Sequence, residues 1–207
     1  MVLSRRRDQP YHGAMALHLT GDAAADDLLS ESPLALLLGM TLDQQVPLER
    51  AFRAPMLLAE RIGAPLDAGA IAAMDPAALA AAFSQAPALH RFPGSMAARC
   101  QQVCQRLVDD YDADPTQLWS TAPDGRELLR RMRALPGFGE MKAKIFIALL
   151  GKQCGLEVPG WEEASLPYSE PGSRRSVADI VDETSLDQVR EFKAAMKAAA
   201  KSAAPGS

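Results

Sequence analysis

Aromatic residues make up only 5% of this 207-residue chain, and cysteine and histidine occur three times each. That shortage of aromatics, set against 48% hydrophobic residues with alanine the commonest, favours helices over sheets and makes an all-β fold a poor fit. No apolar run approaches the roughly 20 residues that a membrane-spanning helix needs. The longest is Leu34 to Met40, counting Gly39. The opening Arg5-Arg6-Arg7-Asp8-Gln9-Pro10 lacks the apolar block and cleavage site of a secretory signal, so a soluble, cytoplasmic protein is expected. Residues 1–14 read as an extension, with Met15 equally able to begin the folded part. Cys100, Cys104 and Cys154 contain no C-x-x-C pair, which argues against a disulfide framework, a zinc site or an iron–sulfur site and leaves them as small buried hydrophobes. His12, His18 and His90 are scattered without His-Glu-x-x-His spacing, so metal-dependent hydrolysis is disfavoured.

The formal charge of −4 is unevenly spread. From Arg126 to Lys144 six basic residues (Arg126, Arg130, Arg131, Arg133, Lys142, Lys144) face two acidic ones (Glu127, Glu140), which gives +4 there and −8 elsewhere. A basic patch on an acidic body suits a single polyanion site, and it equally suits a solvated helix face. Helix signals recur. Ser32-Pro33, Asp75-Pro76 and Asp114-Pro115 each set a capping residue before proline, predicting helices over 34–40, 77–83 and 116–119. Pro47 opens a helix with Leu48, Phe52, Met56, Ala59 and Ile62 on one face, kinked at Pro55 and ended by Gly63. Ser95 begins a helix with Met96, Cys100, Val103, Leu107 and Tyr111 in register, opposite Gln101, Gln102, Gln105 and Arg106. Asp124 caps a helix to Leu135, and another runs from about Glu140 to Leu150. Val158 to Ser176, with three prolines and two glycines, reads as irregular surface chain. Ser185 with Gln188 has capping-box spacing before a last helix through Val189, Phe192 and Met196, which ends at Ala204-Pro205 after an Ala/Lys-rich stretch expected to fray.

Leu135-Pro136-Gly137-Phe138-Gly139, between two predicted helices, is the most informative stretch. Its glycines permit a sharp turn and close approach of another molecule to the main chain. The amides that open the next helix, its positive dipole end, Lys142 and Lys144 make a site suited to phosphate. Leu135 and Phe138 are expected to pack between the helices and hold the turn. An ordinary αα-hairpin accounts for the same residues.

This hairpin resembles that of the helix-hairpin-helix base-excision DNA glycosylases, the HhH-GPD superfamily. Leu36-Leu37-Leu38-Gly39-Met40-Thr41-Leu42-Asp43-Gln44-Gln45-Val46 looks like that family's apolar helix ending in a glutamine turn, and His90-Arg91-Phe92-Pro93 and the hairpin follow in the family's order. The similarity covers roughly residues 30 to 155. It implies an all-α, two-lobe fold, with residues 1–29 an extension and part of a second lobe, 30–135 a helical barrel, and 136–207 the hairpin's second helix and the rest of the second lobe. It also implies that a nucleotide is extruded from double-stranded DNA, damaged or abasic, into a pocket between the lobes. On that reading Gln44 and Gln45 form the wedge that fills the stack. Leu135, Pro136, Gly137, Phe138, Gly139, Met141, Lys142 and Lys144 form the phosphate clamp. A nucleoid-associated monomer is expected, with no cofactor and no iron–sulfur cluster, although the hairpin type allows a monovalent cation.

The pattern breaks at the family's central carboxylate. Its Asp position falls on Pro159, within Val158-Pro159-Gly160-Trp161, and a proline offers neither charge nor proton. The amine nucleophile of the family's lyase members falls on Met141, and Lys142 beside it diverges by about 100° on a helix, so Schiff-base chemistry is not expected. Glu162, Glu163 and Asp43 are the nearest substitute acids, and Trp161 and Tyr168 are candidates to stack a flipped base. Three functions remain open: a monofunctional glycosylase with a displaced carboxylate, a non-catalytic reader of lesions or bent DNA, and a helical interaction domain.

Overall fold

The computed structural model describes residues 16–203; the extension read over residues 1–14, Met15 and the Ala204-Pro205 stop lie outside the described residues. All regular structure described is helical: α1 (Ala23–Glu31), α2 (Pro33–Leu42), α3 (Leu48–Ile62), α4 (Ala68–Ala73), α5 (Pro76–Ser84), α6 (Pro93–Tyr111), α7 (Gln117–Ser120), α8 (Gly125–Arg133), α9 (Glu140–Gln153), α10 (Trp161–Ser165), a 3-10 turn at Val177–Asp179 and α11 (Glu183–Ala203). None of these helices is long and apolar enough to cross a membrane.

The apolar run at Leu34 to Met40 becomes the central helix. Every residue of α2 from Leu34 to Leu42 is buried, and Ser32 Oγ accepts from the Ala35 amide at its start. Around it α1 packs on α2 and α3, while α4, α5 and α2 pack on α6. α8 packs on α9 and α10, and α9 on the 3-10 turn. Where the sequence suggests a barrel over 30–135, these contacts place α1 with α2 and α3, and α8 with the C-terminal helices. One apolar core runs through both groups, and all three cysteines are buried and free in it.

Helix ends depart from expectation where neighbours decide them. α6 starts at Pro93 rather than Ser95, and α3 continues through Pro55. α8 stops at Arg133, since the Leu135 amide turns back to the Met132 carbonyl and the Phe138 amide to the Leu135 carbonyl. The capping box expected on Ser185 and Gln188 lies three residues earlier: Asp182 Oδ1 accepts from the Ser185 amide and Ser185 Oγ from the Asp182 amide. The stretch read as irregular, 158–176, contains α10 and turns fastened to the body. Ser169 Oγ donates to the Glu162 carbonyl at 2.6 Å, and Lys152 pairs with the buried Asp179 at 2.6 Å.

One device recurs. The last carbonyls of a helix lack intrahelical partners, and here a long side chain from a neighbouring helix supplies them. Gln101 donates to Ile71, Ala72 and Met74 at the end of α4, and Arg61 to Ala82 of α5 and to Pro87 beyond it. Arg131 donates to Gln117 and Leu118 of α7, and Lys142 to Met40 and Thr41 of α2. Two of the six basic charges between Arg126 and Lys144 are thereby committed to holding helices together.

Candidate nucleic-acid interface

The turn after α2 is held in an unusual shape. The Gln44 amide donates to the Leu42 carbonyl at 2.7 Å, which folds the chain about Asp43 (φ −71, ψ 77) into an inverse γ-turn. Gln45 follows at φ +56, a left-handed conformation that costs a side-chain-bearing residue about 1 kcal/mol or more and persists only where the surroundings impose it. His90 imposes it. Its Nδ1 accepts from the Phe92 amide at 3.1 Å, so Nε2 carries the proton and donates to the Gln44 carbonyl at 2.9 Å. Burial lowers the pKa of this imidazole, which keeps it neutral and able to fill both roles.

Gln44 and Gln45 divide the work. Gln44 Nε2 donates to the Thr41 carbonyl and to Met96 Sδ, and its Oε1 accepts from Arg99 at 3.1 Å. Gln44 is a fastened side chain, whereas Gln45 is exposed at the turn's tip. Arg99, on α6, then reaches the hairpin. A methyl group placed on Gly137 (φ +83) would stand 2.5 Å from Arg99 Cδ. The glutamine turn and the hairpin, 90 residues apart in sequence, are thus joined on one face through a single arginine.

Within the hairpin, Leu135 and Phe138 are buried and Phe138 meets Phe146 edge-on at 6.1 Å, while Pro136 is half-buried and Gly137 and Gly139 are exposed. α9 opens at Gly139 without a side-chain cap, and α6 opens at Phe92 likewise. Two helix N-termini therefore flank the turn. Met141 is 65% exposed and Phe92 43%, with the Arg91 guanidinium 4.7 Å from the Phe92 ring centroid. Neither Phe92 nor Arg99 is among the site residues expected from the sequence. An exposed aromatic just before a helix is a signal for the first, and nothing local marks the second.

Lys142 does not face outward with the clamp. It turns inward, donating to Met40 O at 2.8 Å and Thr41 O at 3.1 Å, and burial pulls its pKa down to about 8. Lys142→Met leaves the Met40 and Thr41 carbonyls without this donor but also removes a charge that burial disfavours, so it is expected to cost about 1–3 kcal/mol in all, or roughly 2–12 °C in thermal unfolding. Loss of duplex binding in a Lys142 variant is therefore to be read against its melting temperature. Lys144 pairs with Glu140 at 3.0 Å, and that pairing, helped by Arg133, holds the Glu140 carboxyl below its usual range.

The candidate acids separate. Asp43 lies in the turn itself, on a cleft of about 340 Å³ that Pro47, Glu49, Leu186, Val189 and Lys193 also line. Its carboxylate has no hydrogen-bond partner among the described residues, and burial raises its pKa although Lys193 and Lys142 oppose the shift. Arg190 of α11 holds Glu49 beside it. Glu162 and Glu163 are exposed on α10, at the other end of the α8–α9 pair. Trp161 covers Gly151, where an added Cβ would lie 2.3 Å from the ring, and Gly151 stands about 18 Å along α9 from Gly139. Trp161 and Tyr168, candidates for base stacking, are half-buried and pack on the core. Pro159 gives its carbonyl to the Gly125 amide at 2.8 Å. Among the described residues no group of three or more His, Cys, Asp or Glu is placed to hold a metal ion.

Compared with protein-family models, curated proteins and solved structures, the chain matches none.

Proposed function

We propose that this protein binds double-stranded DNA through the face that carries Gln45, Phe92, Gly137, Gly139 and Met141, and hydrolyses the N-glycosidic bond of a nucleotide extruded beside Gln45. The observation that carries this reading is the Arg99 bridge from Gln44 to Gly137, which brings the expected wedge and the expected clamp together. The N-termini of α6 and α9 carry no side-chain cap, so their positive dipole ends suit phosphates, α6 with one amide fewer because Pro93 opens it. Gln45, Phe92 and Met141 are exposed side chains of the kinds that insert between base steps. Lys142 and Gln44 act from behind the face as positioning residues.

Asp43 is the acid that fits this reading, because it alone of the three candidates shares the turn with the glutamines. Its carboxylate takes a proton from water as the oxygen adds to the sugar C1′, while the C1′–N bond breaks and the base leaves with a proton from solvent. A second reading, a non-catalytic reader of distorted DNA, draws on Pro159, whose carbonyl is spent on docking against α8.

The test is single-turnover incubation with labelled duplexes carrying uracil, 8-oxoguanine, alkyl-adenine, a mismatch or an abasic site, followed by alkali and by gel shift. Alkali-dependent breaks at one lesion are expected. Binding to a lesion or abasic duplex without breaks favours the reader, and no binding to any duplex at low salt overturns both.

A further inference from the structure

Arg126, Arg130 and Arg133 recur at spacings of four and three along α8, and all three are exposed. Leu128 and Met132 hold the opposite side of the helix in the core. The basic charges of the same window that face elsewhere are engaged: Arg131 caps α7 and Lys142 caps α2. Arg126 has no ion-pair partner among the described residues. Arg130 donates from Nε and Nη2 to the two Glu127 carboxylate oxygens at 2.7 Å each, with 70% of its side chain exposed, and Arg133 is 3.8 Å from Glu140 with 54% exposed. The long, exposed Arg133 pair holds its guanidinium weakly, so a phosphate can replace the carboxylate there, while Arg130 keeps Nη1 outside its bonds to Glu127 and available to a phosphate oxygen. The ridge also leads somewhere, because α8 ends at Arg133 and the chain passes directly into the hairpin at Leu135 to Gly139.

We propose that Arg126, Arg130 and Arg133 carry one strand of the duplex away from the hairpin, extending the phosphate-binding face along α8. This rests on the DNA-binding reading above and adds the path of the flanking DNA to it. From Arg126 to Arg133 the helix rises about 10 Å. That length spans about three 3.4 Å steps of the duplex axis, hence two or three phosphates of one strand. Guanidinium groups suit such partners because their fork of N–H donors meets phosphate oxygens two at a time. The ridge carries no sequence information of its own; it sets affinity and orientation, while the turn and the hairpin meet the distorted step. Arg126 of α8, Lys144 of α9 and Glu163 of α10 line one groove beside the ridge.

The experiment is the salt dependence of binding to a duplex of about 25 base pairs with a central abasic site, read by fluorescence anisotropy with the full chain. Neutralising the ridge as Arg126→Gln, Arg130→Gln, Arg133→Gln is expected to make the slope of log K against log salt shallower by about 2 to 3. The corresponding triple lysine variant keeps the wild-type slope, which separates loss of charge from loss of fold. A glutamine triple with the wild-type slope overturns the ridge and leaves the DNA-binding face standing. Absence of binding by the unmodified chain at about 50 mM salt overturns the ridge together with the reading on which it rests.

Discussion

Asp43→Asn is expected to lower single-turnover excision by about 10²–10⁴-fold, the loss typical of a missing general acid or base, while affinity for an abasic duplex stays within about twofold. Stability should move the other way. Burial raises the Asp43 pKa above its unfolded value, so the folded chain binds this proton more tightly than the unfolded chain does. The contribution to stability is therefore fully present below the unfolded pKa and is lost as pH rises through the folded one. At neutral pH an ionised, unpartnered carboxylate in the cleft opposes folding. An amide of the same shape lifts that cost, so Asp43→Asn should melt above the wild type at pH 7, and the gain should vanish near pH 3, where both side chains are neutral. A purely structural Asp43 would lose stability on substitution and show no gain at pH 7. Excision unchanged by this variant would leave the non-catalytic reader as the better description of the site.

Why the sequence pointed to Asp43 only weakly is a matter of distance along the chain. Glu162 and Glu163 were attractive because they follow Pro159 directly, but the antiparallel α8–α9 pair converts nearness in sequence to Pro159 into separation from the hairpin in space. The hairpin itself was legible because its signals are local: glycines where the chain turns and apolar residues that face inward. The amphipathic helix α6 was legible for the same reason, with Met96, Cys100, Val103 and Leu107 buried at the expected period, whereas α3 buries Ala51, Phe52, Ala54, Pro55 and Leu58 and shares only Phe52 with the face its spacing suggested. α10 was not, because its order comes from partners ten or more residues away, Trp161 lying over Gly151 and Gly160 against Gly125. Lys142 shows the limit most clearly. Its register on α9 said which way it diverges from Met141, and only the packing of α9 against the end of α2 says that its ammonium is occupied there.

Gly125→Ala is expected to be the most destabilising single methyl group in the protein. A Cβ at this position would stand 2.1 Å from the Gly160 carbonyl oxygen and 2.5 Å from its carbon, and both atoms belong to main chain that cannot swing aside. The same junction holds the Gly125 amide against the Pro159 carbonyl at 2.8 Å, so relief of the clash breaks that bond and lifts Trp161 from Gly151. Overpacking of this kind costs about 3 kcal/mol, which for a chain of this size lowers Tm by roughly 6–12 °C. Helix propensity works in the opposite direction, since alanine is worth up to about 1 kcal/mol over glycine inside a helix, but Gly125 is the first residue of α8 and gains little of it. Gly151→Ala offers the comparison. There the obstacle is a ring edge 2.3 Å away, and Trp161→Leu in the same chain makes room, so the double variant should recover part of what Gly151→Ala loses. No second substitution rescues Gly125→Ala, because the opposing atoms are backbone. Thermal unfolding of the three variants measures the difference, and a Gly125→Ala protein that melts within about 2 °C of the wild type would mean that the 158–161 segment is not seated on α8 in solution.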